Sequence, residues 1–126
     1  MYMTLSVALG GAIGATSRYW ISSLVYQAVG GAFPWATLTV NVFGCAILGV
    51  LIQLMALVWS PSEPLRAFLT VGFLGALTTF SAFSLEMVLM LERGDWLNAM
   101  LYVLLSVVLC IGATIGTMAL MKLVLL

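Results

Sequence analysis

Gly30-Gly31-Ala32-Phe33-Pro34 interrupts the long stretch between Arg18 and Glu63, in which no charged residue occurs. A helix crossing the hydrocarbon of a bilayer takes about 20 apolar residues. The stretch is long enough for two crossings, and the two glycines and the proline supply the break between them. Pro34 suits the first turn of the second helix, where its missing N–H costs little. Working outward, residues 67–85 and 96–121 are also free of charge. Ser60-Pro61-Ser62-Glu63-Pro64 stops the second helix, and Glu92-Arg93-Gly94-Asp95 makes a polar turn before the last. The spacing predicts four transmembrane helices, at about 4–28, 35–59, 65–91 and 96–122, in a single transmembrane domain over residues 1–126.

Composition agrees with an all-α membrane protein. Hydrophobic residues make up 64% of the 126 and charged residues 6%, against the roughly one quarter charged that a soluble domain uses to cover itself. Trp20, Trp35, Trp59 and Trp96 mostly lie near predicted helix ends, as an interfacial aromatic belt expects. The net charge is zero with no basic patch, which argues against nucleic acid as a partner. Histidine is absent, and Cys45 and Cys110 read as small apolar residues with no disulfide or metal spacing. Nothing before the first apolar run looks like the charged start of a cleavable signal peptide, so the first segment is read as a retained helix.

Four helices with short loops put both termini on one side. That side carries Arg66 and Lys122 and the other carries Arg93, a bias too small to fix orientation. A chain that inserts both ways can build, as an antiparallel homodimer, the inverted symmetry that larger transporters hold in one chain.

Polar residues inside the spans carry the functional information. Thr37, Asn41, Cys45, Gly49 and Gln53 recur every four residues and share one face of the second helix. Tyr102, Ser106, Cys110 and Thr114 do the same on the last. The bland role for such residues is helix packing, which Gly10-x-x-x-Gly14 and Gly112-x-x-x-Gly116 also suit. Asn41 stands apart, because its amide is costly in hydrocarbon and offers two donors. Arg18 either snorkels to head groups or draws anions to a vestibule. Glu86 is assigned the bland role of reaching the interface. The run Gly72-Phe73-Leu74-Gly75-Ala76-Leu77-Thr78-Thr79-Phe80-Ser81 has two readings. It is a continuous helix with a close-packed glycine face, or it unwinds in mid-membrane with its carbonyls buried or bound to a monovalent cation.

These residues resemble a known family. Gly10-Gly11-Ala12-Ile13-Gly14-Ala15-Thr16-Ser17-Arg18-Tyr19, then Thr39-Val40-Asn41, then Gly75-Ala76-Leu77-Thr78-Thr79-Phe80-Ser81-Ala82-Phe83-Ser84-Leu85-Glu86 look like the bacterial fluoride channels called Fluc or CrcB. The match covers the first three helices with its motifs in order; the fourth is similar mainly through its polar face. The resemblance implies a multi-pass protein of the bacterial inner membrane that exports toxic fluoride passively. It implies an antiparallel, dual-topology homodimer with two pores and a break in the third helix. It also implies one structural sodium ion, held by the backbone carbonyls of Gly75 and Thr78 of both copies. Asn41, Phe80 and Phe83 would line each path, continued by Ser81, Ser84 and Thr114, with Arg18 near its mouth. Ala82 stands where family members often carry threonine, so that hydroxyl is missing.

The chemistry is compatible. Fluoride holds water tightly, so a path must offer replacement donors, and a benzene ring presents a positive edge. Neutral donors also let the ion leave. No nucleophile–base pair or cofactor fingerprint points to an enzyme. Two other classes fit four short helices. A small multidrug antiporter needs a deep carboxylate in the first helix, where this chain has none. A structural subunit of a larger complex predicts no ion flux from the protein alone.

Overall fold

The computed structural model describes residues 1–126 and is helical throughout, with no strand. Helix α1 spans Tyr2–Val29 and α2 spans Trp35–Leu57. The third path is composite. It begins as α3 (Glu63–Ala67), widens into a π-helical segment (Phe68–Leu74), returns to one short turn, α4 (Gly75–Leu77), and resumes as α5 (Phe80–Glu92). Helix α6 spans Trp96–Leu125. Three of these paths are long and apolar enough to cross a membrane: Trp35–Leu57, Glu63–Glu92 taken whole, and Trp96–Leu125. Helix α1 has 28 residues, about 42 Å of rise. It misses that apolarity because Thr16, Ser17, Arg18, Ser22, Ser23 and Gln27 dilute it.

Ends differ from the sequence reading where a local signal was weak. Helix α2 stops at Leu57, short of Trp59, whose N–H turns back to the Leu54 carbonyl. Helix α6 runs past Lys122 to Leu125, because nothing after the lysine breaks it. The turn between α5 and α6 closes through Gly94 N–H to Leu91 O (3.0 Å) and Asp95 N–H to Met90 O (2.9 Å). Gly94 takes φ 74°, a left-handed conformation that glycine adopts without penalty.

The third path is not a continuous helix. Thr78 (φ −85°, ψ 156°) and Thr79 (φ −151°, ψ 120°) are extended. Upstream, the Gly75 N–H reaches back to the Thr70 carbonyl, five residues away, in the wider winding of the π segment. That segment lies directly on α1. A Cβ built on Gly10 or Gly14 would overlap the Phe68 or Phe73 carbonyl, and one on Gly72 would come within 2.7 Å of the Val7 carbonyl. Only glycine permits so close a backbone approach. The second glycine pair behaves otherwise: nothing lies within 4 Å of a Cβ on Gly112 or Gly116, so this pair packs against nothing in its own chain. Helices α2 and α6 instead meet at Gly49, where a Cβ would stand 2.6 Å from the Thr114 carbonyl.

The buried centre is small. Leu38, Met90, Ala99 and Tyr102 form it, with Phe33, Phe83 and Met87 packed against them. Only 16 of 126 residues are buried, while residues such as Leu24, Phe43, Val71, Leu97 and Ile115 face outward. A chain with so much apolar surface has lipid, or another protein chain, as its solvent.

Candidate functional site

The site grows out of the break. Where Thr78 and Thr79 leave the helix, their backbone groups lose helical partners, and in a membrane each must find another. Asn41, on the adjacent face of α2, supplies them. Its Nδ2 donates to the Thr79 carbonyl (3.0 Å), and its Oδ1 accepts from the Thr79 N–H (2.7 Å). The amide thus imitates a backbone pair across two helices. A continuous helix would have given that N–H to the Gly75 carbonyl, which the clamp leaves without it. Thr79 then caps α5: its hydroxyl accepts from the Ala82 N–H (3.2 Å) and sits 3.2 Å from the Ser81 hydroxyl. Thr78 donates its hydroxyl to the Leu74 carbonyl (2.9 Å), satisfying the end of the short turn before it.

A cavity of about 310 Å³ opens beside the break. It is lined by Asn41 and Cys45 of α2, by Thr78, Thr79, Phe80 and Phe83, and by Ser106, Val107, Cys110 and Ile111 of α6. No charged side chain lines it. The Phe80 and Phe83 rings lie 5.3 Å apart at 42°, and Phe83 continues to Tyr102 at 5.0 Å. Phe80 is 77% exposed, so its ring is nearly uncovered in a single chain. Ser106 is buried, and its hydroxyl is the one buried side-chain polar atom without a hydrogen-bond partner. An orphan hydroxyl in a cavity wall is an available donor, since it has nothing else to bind.

The expected site residues divide. Asn41, Phe80, Phe83 and Thr78 converge on this cavity. Ser81 is turned to Thr79, and Ser84 donates to the Phe80 carbonyl (3.0 Å). Thr114 has its hydroxyl between the Cys45 and Cys110 carbonyls, 3.2 Å from each. These three hydroxyls already have partners in the chain and lie outside the cavity lining. Arg18 is half-buried on α1 and also away from it. Gly75 is exposed and Thr78 half-buried on the same bend.

One cluster escaped the reading of the sequence. Glu86 lines a cavity with Gly30, Pro34, Trp35 and Arg93 at the helix ends, and its carboxylate is held between helices. It accepts from the Thr37 hydroxyl on one carboxyl oxygen (2.6 Å) and from the Tyr102 hydroxyl on the other (2.6 Å), joining α5 to α2 and α6. The four-residue polar stripes on α2 and α6 contained both donors. Sequence alone did not say that an acid on a third helix would meet them. Ser106 belonged to the same α6 stripe and was visible there, though not as an unpaired group.

Comparison with known proteins follows the same residues. The family model described as CrcB-like protein, Camphor Resistance (CrcB), matches residues 5–118. A protein of Rhizobium etli (strain CIAT 652), named fluoride-specific ion channel FluC, is 44% identical over 122 residues, 97% of this chain and 98% of its own. One of Rhodospirillum centenum with the same name is 48% identical over 122 residues, 97% of each chain. Another, of Magnetococcus marinus, is 50% identical over 107 residues, 85% of this chain and 87% of its own. Both break and clamp lie within the matched region, and the chain belongs to the CrcB-like family.

Proposed function

We propose that this chain is a passive, fluoride-selective channel of the bacterial membrane, and not an enzyme. The observation that carries the reading is the neutral cavity at the helix break, where the Asn41 amide, the Ser106 hydroxyl and two phenylalanine rings meet. One Asn41 N–H holds Thr79 and the other is free to donate. Ring edges carry partial positive charge. Such groups replace part of the water around a small anion without the fixed charge that would trap it. The names carried by the relatives support fluoride as that anion.

The route needs a second copy. Phe80 is mostly uncovered in one chain, and Gly75, just before the break, is exposed. An antiparallel partner covers these surfaces and forms two paths, Phe80 and Phe83 bordering each, with Ser81, Ser84 and Thr114 reached by rotating their hydroxyls. Helix α1 makes the fourth crossing. It rides on the π segment in backbone contact, and the break beyond that segment is held to α2 by Asn41. The single domain and the balanced Arg66, Lys122 and Arg93 charges suit insertion in both orientations.

The donor set at the break also fits a small hard cation. The clamp withholds the Thr79 N–H from the Gly75 carbonyl, and Thr78 has left the helix, so two backbone oxygens per chain are open to another partner. Sodium takes oxygen ligands, and the Gly75 and Thr78 carbonyls of two copies would supply them. When bound, the ion joins the copies and adds positive charge between the paths. Fluoride efflux from liposomes holding only this protein tests the reading. Efflux without an imposed proton gradient supports it; efflux only with one points to an antiporter.

A further inference from the structure

Cys45 and Cys110 are the only cysteines of the chain, and the fold brings them together. Cys45 is on α2 and Cys110 on α6; both thiols are free, half-buried and part of the same cavity wall. The Thr114 hydroxyl stands 3.2 Å from the carbonyl oxygens of both, which fixes the two backbones side by side. Gly49, one turn beyond Cys45, keeps the helices close, since a Cβ there would meet the Thr114 carbonyl at 2.6 Å.

The geometry points to a two-thiol site for a soft, two-coordinate cation of the mercury(II), silver(I) and copper(I) class, built across α2 and α6 in the wall of the cavity. Soft sulfur ligands select soft metals. Structural zinc takes four ligands, and no group of three or more His, Cys, Asp or Glu side chains exists here. With mercuric chloride, two S–H bonds break and two S–Hg bonds form. Two protons and two chlorides leave, and no atom changes oxidation state. The product is neutral, as a low-dielectric site prefers. Mercuric chloride is itself neutral and reaches the thiols through lipid as well as through water.

The bound metal lies one helical turn from Asn41 along α2 and one turn from Ser106 along α6. It fills cavity volume and ties the two helices together. It therefore stops ion passage, a consequence that rests on the channel reading, whereas binding does not.

The test titrates the assembled protein with mercuric chloride and reads metal per chain by intact mass and free thiols after denaturation. One mercury per chain with both thiols consumed is the expected result. Two mercuries per chain, one on each thiol, overturns the site. Cys45→Ala and Cys110→Ala should each hold mercury by a single bond. Mercaptoethanol should then strip them at concentrations about 100-fold below those the wild type needs, because the second bond is intramolecular. Equal resistance in either variant also overturns it. In liposomes, after a mercaptoethanol wash, wild type should stay blocked until a dithiol is added, and each variant should regain its own starting flux. Wild type that binds one bridging mercury yet conducts normally overturns the plug. Protein that binds it but never conducts leaves the thiol site standing and overturns the channel reading.

Discussion

Asn41 clamps the helix break, and its proposed second role, donating to the permeant anion, can be tested apart from the first. Both of its hydrogen bonds go to Thr79, a residue only 9% exposed. Asn41→Ala leaves a buried N–H and a buried carbonyl unpaired, at about 1–3 kcal/mol for each. We expect a clear fall in unfolding midpoint in detergent, and a change under about 0.5 kcal/mol would show that the clamp is not needed. Asn41→Asp keeps the acceptor for the Thr79 N–H but sets a carboxylate beside the donors of the cavity, and should stop anion flux. Phe80 gives the cleaner test of ring chemistry. It is 77% exposed in one chain, so Phe80→Ile disturbs little packing within it. Fluoride efflux should fall about 10-fold or more, the loss of roughly 1.4 kcal/mol of ring-edge stabilisation. Unchanged efflux from the folded variant removes Phe80 from the path.

Among the elements, the helix break was one of two readings the residues allowed, and its support was not legible at all. Two glycines, two threonines and a serine in ten residues, Gly72 to Ser81, announce a segment that holds a helix poorly. The π-helical winding of Phe68–Leu74 has no such signature. Seven residues do not separate a five-residue hydrogen-bond step from a four-residue one, and the winding accompanies contact with α1, far away in sequence. The Gly10 and Gly14 spacing marked a packing face, but Gly112 and Gly116, with the same spacing, meet nothing in the chain. Spacing shows that a close approach is permitted, not which partner makes it. The Glu86 cluster was hidden for a similar reason, since its two donors come from different helices. Packing at α1 gives the prediction of this scale. Gly14→Leu forces a side chain into the Phe73 backbone, which side-chain rotation cannot relieve. It should abolish recovery of folded protein on size exclusion, whereas Gly112→Ala, with open space around it, should elute as wild type. A folded Gly14→Leu protein would contradict the observed α1 packing.

For the whole molecule, composition gave a membrane protein and three of the paths are apolar enough to span. The fourth crossing and the second copy are inferred from packing and from the balance of charge. Extra lysines on the Ser60–Ser62 loop should lock one orientation. That variant alone should be inactive, and activity should return on co-expression with a variant locked the other way by lysines beside Arg93. Full activity from one locked form would rule out antiparallel assembly. If, as proposed, the Gly75 and Thr78 carbonyls of two copies share a sodium ion, replacing external sodium with a large organic cation should lower fluoride current or dimer stability. Unchanged current and unchanged dimer stability without sodium would leave those carbonyls with no ion to hold.

The most direct measurement is electrogenic fluoride efflux from liposomes that contain only the purified protein. A membrane potential drives an anion outward with about 2.3 kcal/mol per charge per 100 mV. The account predicts rapid fluoride loss once potassium and an ionophore collapse the opposing potential, with no proton gradient needed and with Asn41→Asp silent. Fluoride retained until a proton gradient is imposed, or lost equally through Asn41→Asp, would contradict it.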